Sequence, residues 1–121
     1  MSLPIVIGVG LLGGVGAVAR FAVDGAVSQR AGRGFPYGTL AVNTLGAFLL
    51  GVLVGAALSK DASSVLGTGL IGGFTTFSTW ALESHRLAEE GRLRLGAVNF
   101  AVSLILGVTA AWAGRHVGAW L

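Results

Sequence analysis

Between Gly72 and Trp80 the chain reads GGFTTFSTW, two glycines followed by hydroxyl side chains set among three aromatic rings. The hydroxyls of Thr75, Thr76, Ser78 and Thr79 donate as well as accept hydrogen bonds. Phe74, Phe77 and Trp80 recur every three residues, so they fall along one side of a helix. They would serve as a packing stripe, yet each ring edge also carries positive partial charge. Gly72 and Gly73 weaken a helix where they stand. Inside a bilayer, broken backbone survives only when buried in protein or lining a cavity, and its freed carbonyls can then bind a cation. Asn43, the one strongly polar side chain in its own oily run, can bond a neighbouring helix or offer an N–H to a solute. Donors and ring edges without fixed charge describe a surface that would receive an anion. Small, hard anions profit most from localised donors, so the inventory points to a small halide without choosing which.

Such groups need a scaffold that excludes water, and the composition supplies one. Of 121 residues, 54% are hydrophobic and only 11% charged, where a soluble domain carries about 25% charge. A soluble chain this small must cover most of its area with polar groups, so lipid is the fitting solvent. Four apolar runs stand out: Leu3–Val23, interrupted by Arg20 near its end, then Thr39–Leu58, Val65–Leu82 and Leu95–Ala113. Each is about 18–21 residues, and about 20 are needed to cross hydrocarbon roughly 30 Å thick. The connections Asp24–Gly38, Ser59–Ser64 and Glu83–Arg94 hold the charges and turn formers. The expected fold is an all-α, multi-pass integral membrane protein, one four-helix domain over residues 1–121 with a break in the third span. A cleaved signal peptide is not expected, because the N-terminus lacks a basic region.

The 21 glycines fall largely inside the spans, and Gly10/Gly14, Gly51/Gly55 and Gly69/Gly73 are each spaced four apart. Helices in lipid associate through such close backbone approaches, so a compact bundle and an oligomer are expected. Lys60 and Arg115 share one side of the membrane with the termini, while Arg30, Arg33, Arg86, Arg92 and Arg94 share the other. The excess leans toward termini outside and leaves orientation open.

Other function classes find little support. The eight basic residues are scattered among connections rather than arrayed in a stripe, which excludes a nucleic-acid surface. GVGLLG, Gly8–Gly13, matches a dinucleotide fingerprint but lacks the acid about 20 residues on. With no cysteine, thiol and thiolate chemistry is absent. No nucleophile–base pair or metal constellation suggests an enzyme. No span has a central Asp, Glu, Lys or His, which argues against a proton relay and so against a small four-helix multidrug exporter. His85 and His116 lie beyond the spans, and Trp112 and Trp120 flank the fourth as interface anchors.

GGVGAVARF (Gly13–Phe21), GTLAVNTLGAFLLG (Gly38–Gly51) and GGFTTFSTW, in this order and spacing, resemble the fluoride channel family known as Fluc or CrcB. The resemblance implies an antiparallel, dual-topology dimer of four-helix subunits, with two pores, giving passive fluoride export across the plasma (inner) membrane. It implies a fluoride pathway of Asn43, Phe77 and Trp80, with Ser78, Thr79 and Ser103 in a hydroxyl track. Trp80 stands where the family usually has phenylalanine; its larger indole also offers a positive edge and an N–H. Arg20 and Glu83 match residues near the pore entrance. The carbonyls of Gly72 and Thr75 match the ligands of a structural sodium ion at the dimer interface. Many members have a tyrosine where this chain has Asn99. A homodimer is expected, with half of a two-gene heterodimer as the alternative.

Overall fold

The computed structural model describes Met1–Leu121, and every regular element in it is helical. α1 runs from Leu3 to Ala31, with Pro4 in its first turn, where a proline's missing N–H costs nothing. It ends at Gly32, whose φ of 86° lies in the left-handed region. α2 (Tyr37–Gly55) follows Pro36. Ser59 then caps α3 (Lys60–Ser63), accepting the Ala62 N–H at 3.2 Å. A π-helix, Ser64–Ile71, leads into the short α4 (Gly72–Phe74). Thr75 and Thr76 are extended, and α5 (Phe77–Glu89) begins again from a Thr76 cap. Gly91, at φ 74°, turns the chain into α6 (Leu93–Gly118).

α1, α2 and α6 are each long and apolar enough to cross a membrane. Segment 60–89 supplies no single helix of that kind, because its backbone leaves the helix at Thr75 and Thr76. α2 stops at Gly55, short of Leu58, whereas the other helices outrun the apolar runs. Asp24–Ala31 and Glu83–Glu89 are helical rather than loop, and α6 continues past Ala113 to Gly118. Lost hydropathy marks where hydrocarbon stops, whereas backbone hydrogen bonding can continue into the polar interface.

The packing is inverted relative to a soluble protein. Phe21, Leu11, Val18, Ile105 and Val108 point outward, while Thr39, Thr76, Asn99 and many glycines are buried. Where the solvent is hydrocarbon there is no gain from hiding leucine, so close backbone contact and polar pairing hold the helices together. Gly51 and Gly55 of α2 lie against the backbone of Ala111 and Arg115 in α6, and Gly114 and Gly118 of α6 against Phe48 and Val52. These two helices therefore run parallel. Gly69 and Gly73 lie against Val9 and Gly13 of α1, and Gly16 against Leu70 and Phe74. Two of the three glycine pairs singled out from spacing are thus intramolecular contacts. Gly10 and Gly14 have nothing within 4 Å; the contact residues of α1 are Gly13 and Gly16 instead, on another face of the helix.

A Gly73→Ala substitution would drive a methyl group into the Gly13 backbone. The expected outcome is a loss of about 1–3 kcal/mol or more from overpacking. It should be read as a fall in monodisperse protein on size exclusion in detergent, whereas Gly10→Ala leaves the intramolecular packing intact.

Candidate functional site

The interruption at Thr75–Thr76 organises the site. Leaving the helix frees backbone groups that must find partners, since lipid offers none. Asn43 of α2 provides them from 33 positions away. Its Nδ2 donates to the Thr76 carbonyl at 2.8 Å, and its Oδ1 accepts the Thr76 N–H at 2.8 Å. The side-chain amide stands in for a second strand, pairing Thr76 on both backbone atoms. One Nδ2 hydrogen is left over. The Thr76 N–H is the donor that would otherwise close a helical bond to Gly72, and the Thr75 carbonyl accepts no hydrogen bond. Carbonyl oxygen is thus released at the break.

The Thr76 side chain restarts the helix: its Oγ1 accepts the Thr79 N–H at 3.2 Å and donates to the Thr79 Oγ1 at 3.1 Å. Its hydroxyl also lies 3.4 Å from that of Ser78. Thr75 donates back to the Ile71 carbonyl at 3.0 Å.

A cleft of about 370 Å³ opens at this break. Asn43, Gly72, Thr75, Thr76, Phe77 and Trp80 line it, with Gly46, Leu50 and Ile71 forming its apolar wall. Phe77 is 74% exposed and meets Trp80 edge to face, with ring centroids 5.3 Å apart and planes at 70°. Trp80 is 8% exposed and stacked on Phe100 at 4.8 Å. Its Nε1–H points to the Asn99 carbonyl at 3.5 Å. That donor is therefore committed to α6, and what Trp80 offers the cleft is ring surface.

Asn99 is 1% exposed and belongs to the scaffold behind Trp80. Its Nδ2 donates to the Ser84 Oγ at 2.7 Å, Ser84 donates to the Trp80 carbonyl at 2.9 Å, and the Ser103 hydroxyl reaches the Asn99 Oδ1 at 3.5 Å. Ser103 thus meets Asn99 on α6, whereas Ser78, which is exposed, and Thr79, which faces a second cavity, meet the Thr76 hydroxyl.

That second cavity, about 270 Å³, is lined by Arg20, Phe21 and Asp24 of α1, Thr39 and Val42 of α2, and Thr76 and Thr79. A third of similar size lies at the loop end, where Asp24, Ser28, Arg33, Glu83, Arg86, Glu90 and Arg92 face one another. Thr76 is common to the cleft and the second cavity, and Asp24 to the second and third. Arg20 and Glu83 thus occupy different chambers. The Thr39 hydroxyl, on the wall of the second, donates to the Glu83 carboxylate at 2.5 Å. Arg92 braces the loop end by donating to the Gly34 carbonyl at 2.6 Å.

Thr39, Ser84 and Asp24 escaped the sequence reading. Thr39 and Asp24 stand at the limits of apolar runs, where a hydroxyl or an acid looks like a helix end. In the sequence Thr76 is one hydroxyl among four. The donor set has no charge at the break and no cluster of ligating side chains, so any cation there would rest on carbonyl oxygen.

A model of the family described as "CrcB-like protein, Camphor Resistance (CrcB)" matches residues 7–115. The chain is 55% identical over 111 residues to a protein named "Fluoride-specific ion channel FluC 2" from Mycolicibacterium paratuberculosis, covering 92% of this chain and 91% of that one. It is 50% identical over 117 residues to the protein of the same name from Mycobacterium bovis, covering 97% and 93%. To "Fluoride-specific ion channel FluC" from Geobacter sulfurreducens it is 42% identical over 114 residues, covering 90% and 92%.

Proposed function

The chain belongs to the CrcB family, and on that footing we propose that it is a fluoride-selective channel giving passive fluoride export. The family is one of ion channels rather than enzymes, and the chain is a multi-pass protein of the plasma membrane. The observation that carries the reading is the cleft at the helix break. It brings Asn43, Phe77 and Trp80 onto one surface without any fixed charge. Relatives named as fluoride-specific channels supply the identity of the halide.

Fluoride is strongly hydrated, so a pore must replace its water with hydrogen-bearing groups. The free Nδ2 hydrogen of Asn43, the exposed edge of Phe77 and the hydroxyls of Ser78 and Thr79 are such groups. Arg20 would draw the anion toward the second cavity, and Glu83, held by Thr39, would lie at the loop-side entrance. Ser103 would extend the hydroxyl line. Replacement that is partial and spread over several sites lets the ion leave again.

One subunit leaves the cleft open on its side, and Phe77 exposed. A second copy, inserted in the opposite sense, would close it, giving an antiparallel dimer of four-span subunits with two pores. The carbonyls of Gly72 and Thr75 fit a sodium ion at that junction. The Thr75 carbonyl accepts no hydrogen bond, the Gly72 carbonyl has lost its usual donor, and both residues line the cleft. A bound sodium would supply a fixed cation that ties the two breaks together. The asymmetry of arginines between the two sides favours, as a second reading, a heterodimer with an oppositely oriented partner chain.

Liposomes carrying the purified protein are expected to release fluoride rapidly and chloride barely, measured with ion-selective electrodes after the membrane potential is collapsed by an ionophore. Equal efflux of both ions would overturn the reading. A purified dimer that passes neither ion would point to the heterodimer.

A further inference from the structure

Asp24 is a carboxylate in the wall of a route suited to anions. It is the residue shared by the second and third cavities, and the only acid lining the second. Arg20 lies one helical turn before it and lines the same cavity, yet no ion pair forms between them: the salt bridges of the chain are His85–Glu89 and Glu90–Arg92. The carboxylate is held by other means. The Ser28 hydroxyl donates to Oδ1 at 3.3 Å. The same oxygen occupies the place where a side chain at residue 38 would begin, so only glycine leaves room for it. Asp24 is thus fixed in position.

The surroundings are nearly balanced. Arg20, Arg33, Arg86 and Arg92 face Asp24, Glu83 and Glu90 across the two cavities. Glu90 is paired with Arg92, whereas Glu83 and Asp24 each hold only a hydroxyl, Thr39 and Ser28; of these acids Asp24 alone lines both cavities, at the junction between them. A fixed negative charge there repels an approaching anion, and low-dielectric walls focus that field.

We propose that Asp24 is a rate-setting residue of the entrance: its charge holds down the local fluoride concentration that Arg20 raises. The inference rests on the channel reading. Removing the charge raises anion occupancy of the junction about threefold, the size of one unit charge acting over roughly 6 Å in a water-like medium. The effect is screened by salt, because the Debye length shrinks from about 30 Å at 0.01 M to about 3 Å at 1 M.

The test compares wild type with Asp24→Asn, which keeps the shape and an acceptor for Ser28. Both are reconstituted in liposomes, and initial fluoride efflux is followed at about 0.01 M and about 1 M impermeant salt. The expected result is about a threefold faster efflux at low salt that vanishes at high salt. A merely structural role would not follow ionic strength. A second variant, Ser28→Lys, leaves Asp24 in place and sets a cation beside it, and should move the rate in the same direction. Efflux from both variants equal to or slower than wild type at low salt overturns the proposal, as does a gain that persists unchanged at high salt. A wild type that passes no fluoride overturns the reading of this chain as a channel by itself, and this inference with it.

Discussion

Replacing Asn43 by leucine is expected to abolish fluoride efflux and to destabilise the protein together. The amide makes two hydrogen bonds of 2.8 Å to the backbone of Thr76, and leucine makes neither. A buried group stripped of its partner costs about 1–3 kcal/mol, and two are stripped at once. In the bilayer no water enters to replace them, so the segment must rearrange, and the Thr76 cap on α5 goes with it. A loss of about 3 kcal/mol in the pathway alone slows passage roughly a hundredfold. Asn43→Asp separates the two roles. It keeps an acceptor for the Thr76 N–H, loses the donor to the Thr76 carbonyl, and sets a negative charge beside the ion path. The expectation is protein recovered more fully than Asn43→Leu on size exclusion, with fluoride efflux still at background. Near-normal efflux from Asn43→Leu would show that the amide neither holds the break nor serves the ion.

Phe77→Ala should do the reverse: lose function and keep the fold. The ring is 74% exposed and its aromatic partner is Trp80. Substitutions at such positions usually stay within about 0.5 kcal/mol, so the melting temperature in detergent should barely move. Efflux should fall roughly five- to thirtyfold, because one positive ring edge, worth about 1–2 kcal/mol to an approaching anion, is removed. Trp80→Ala gives the contrast. That ring is buried, stacked on Phe100 and bonded to the Asn99 carbonyl, so truncation costs about 3–5 kcal/mol in stability. If Phe77→Ala conducts like wild type, the ring edge is not part of the path.

The class of the protein was legible because hydropathy is a one-dimensional property. A run such as Thr39–Leu58 means the same thing whatever surrounds it, since hydrocarbon thickness alone converts its length into a crossing. Family membership was legible for a related reason: its motifs are contiguous strings, and comparison with relatives confirms it over residues 7–115. The details of the site were another matter. The glycines at 72 and 73 look like the weak point of the third segment, yet both are helical, and the extended residues are Thr75 and Thr76. Gly73 is there for its closeness to Gly13. The backbone could leave the helix at Thr76 only because Asn43 waits opposite with a matching pair of polar atoms.

Trp80 teaches the same lesson. Its N–H is a free donor on paper, and in the fold it is turned to Asn99, whose own amide is turned to Ser84. By itself the sequence determined the solvent, the apolar runs, the family and the kinds of groups available to an ion. Only the tertiary structure decided which glycines touch, which donors remain unspent and that Asp24 stands between two chambers. Each of those depends on distances between residues far apart in the chain, and no local pattern of residue types encodes a distance.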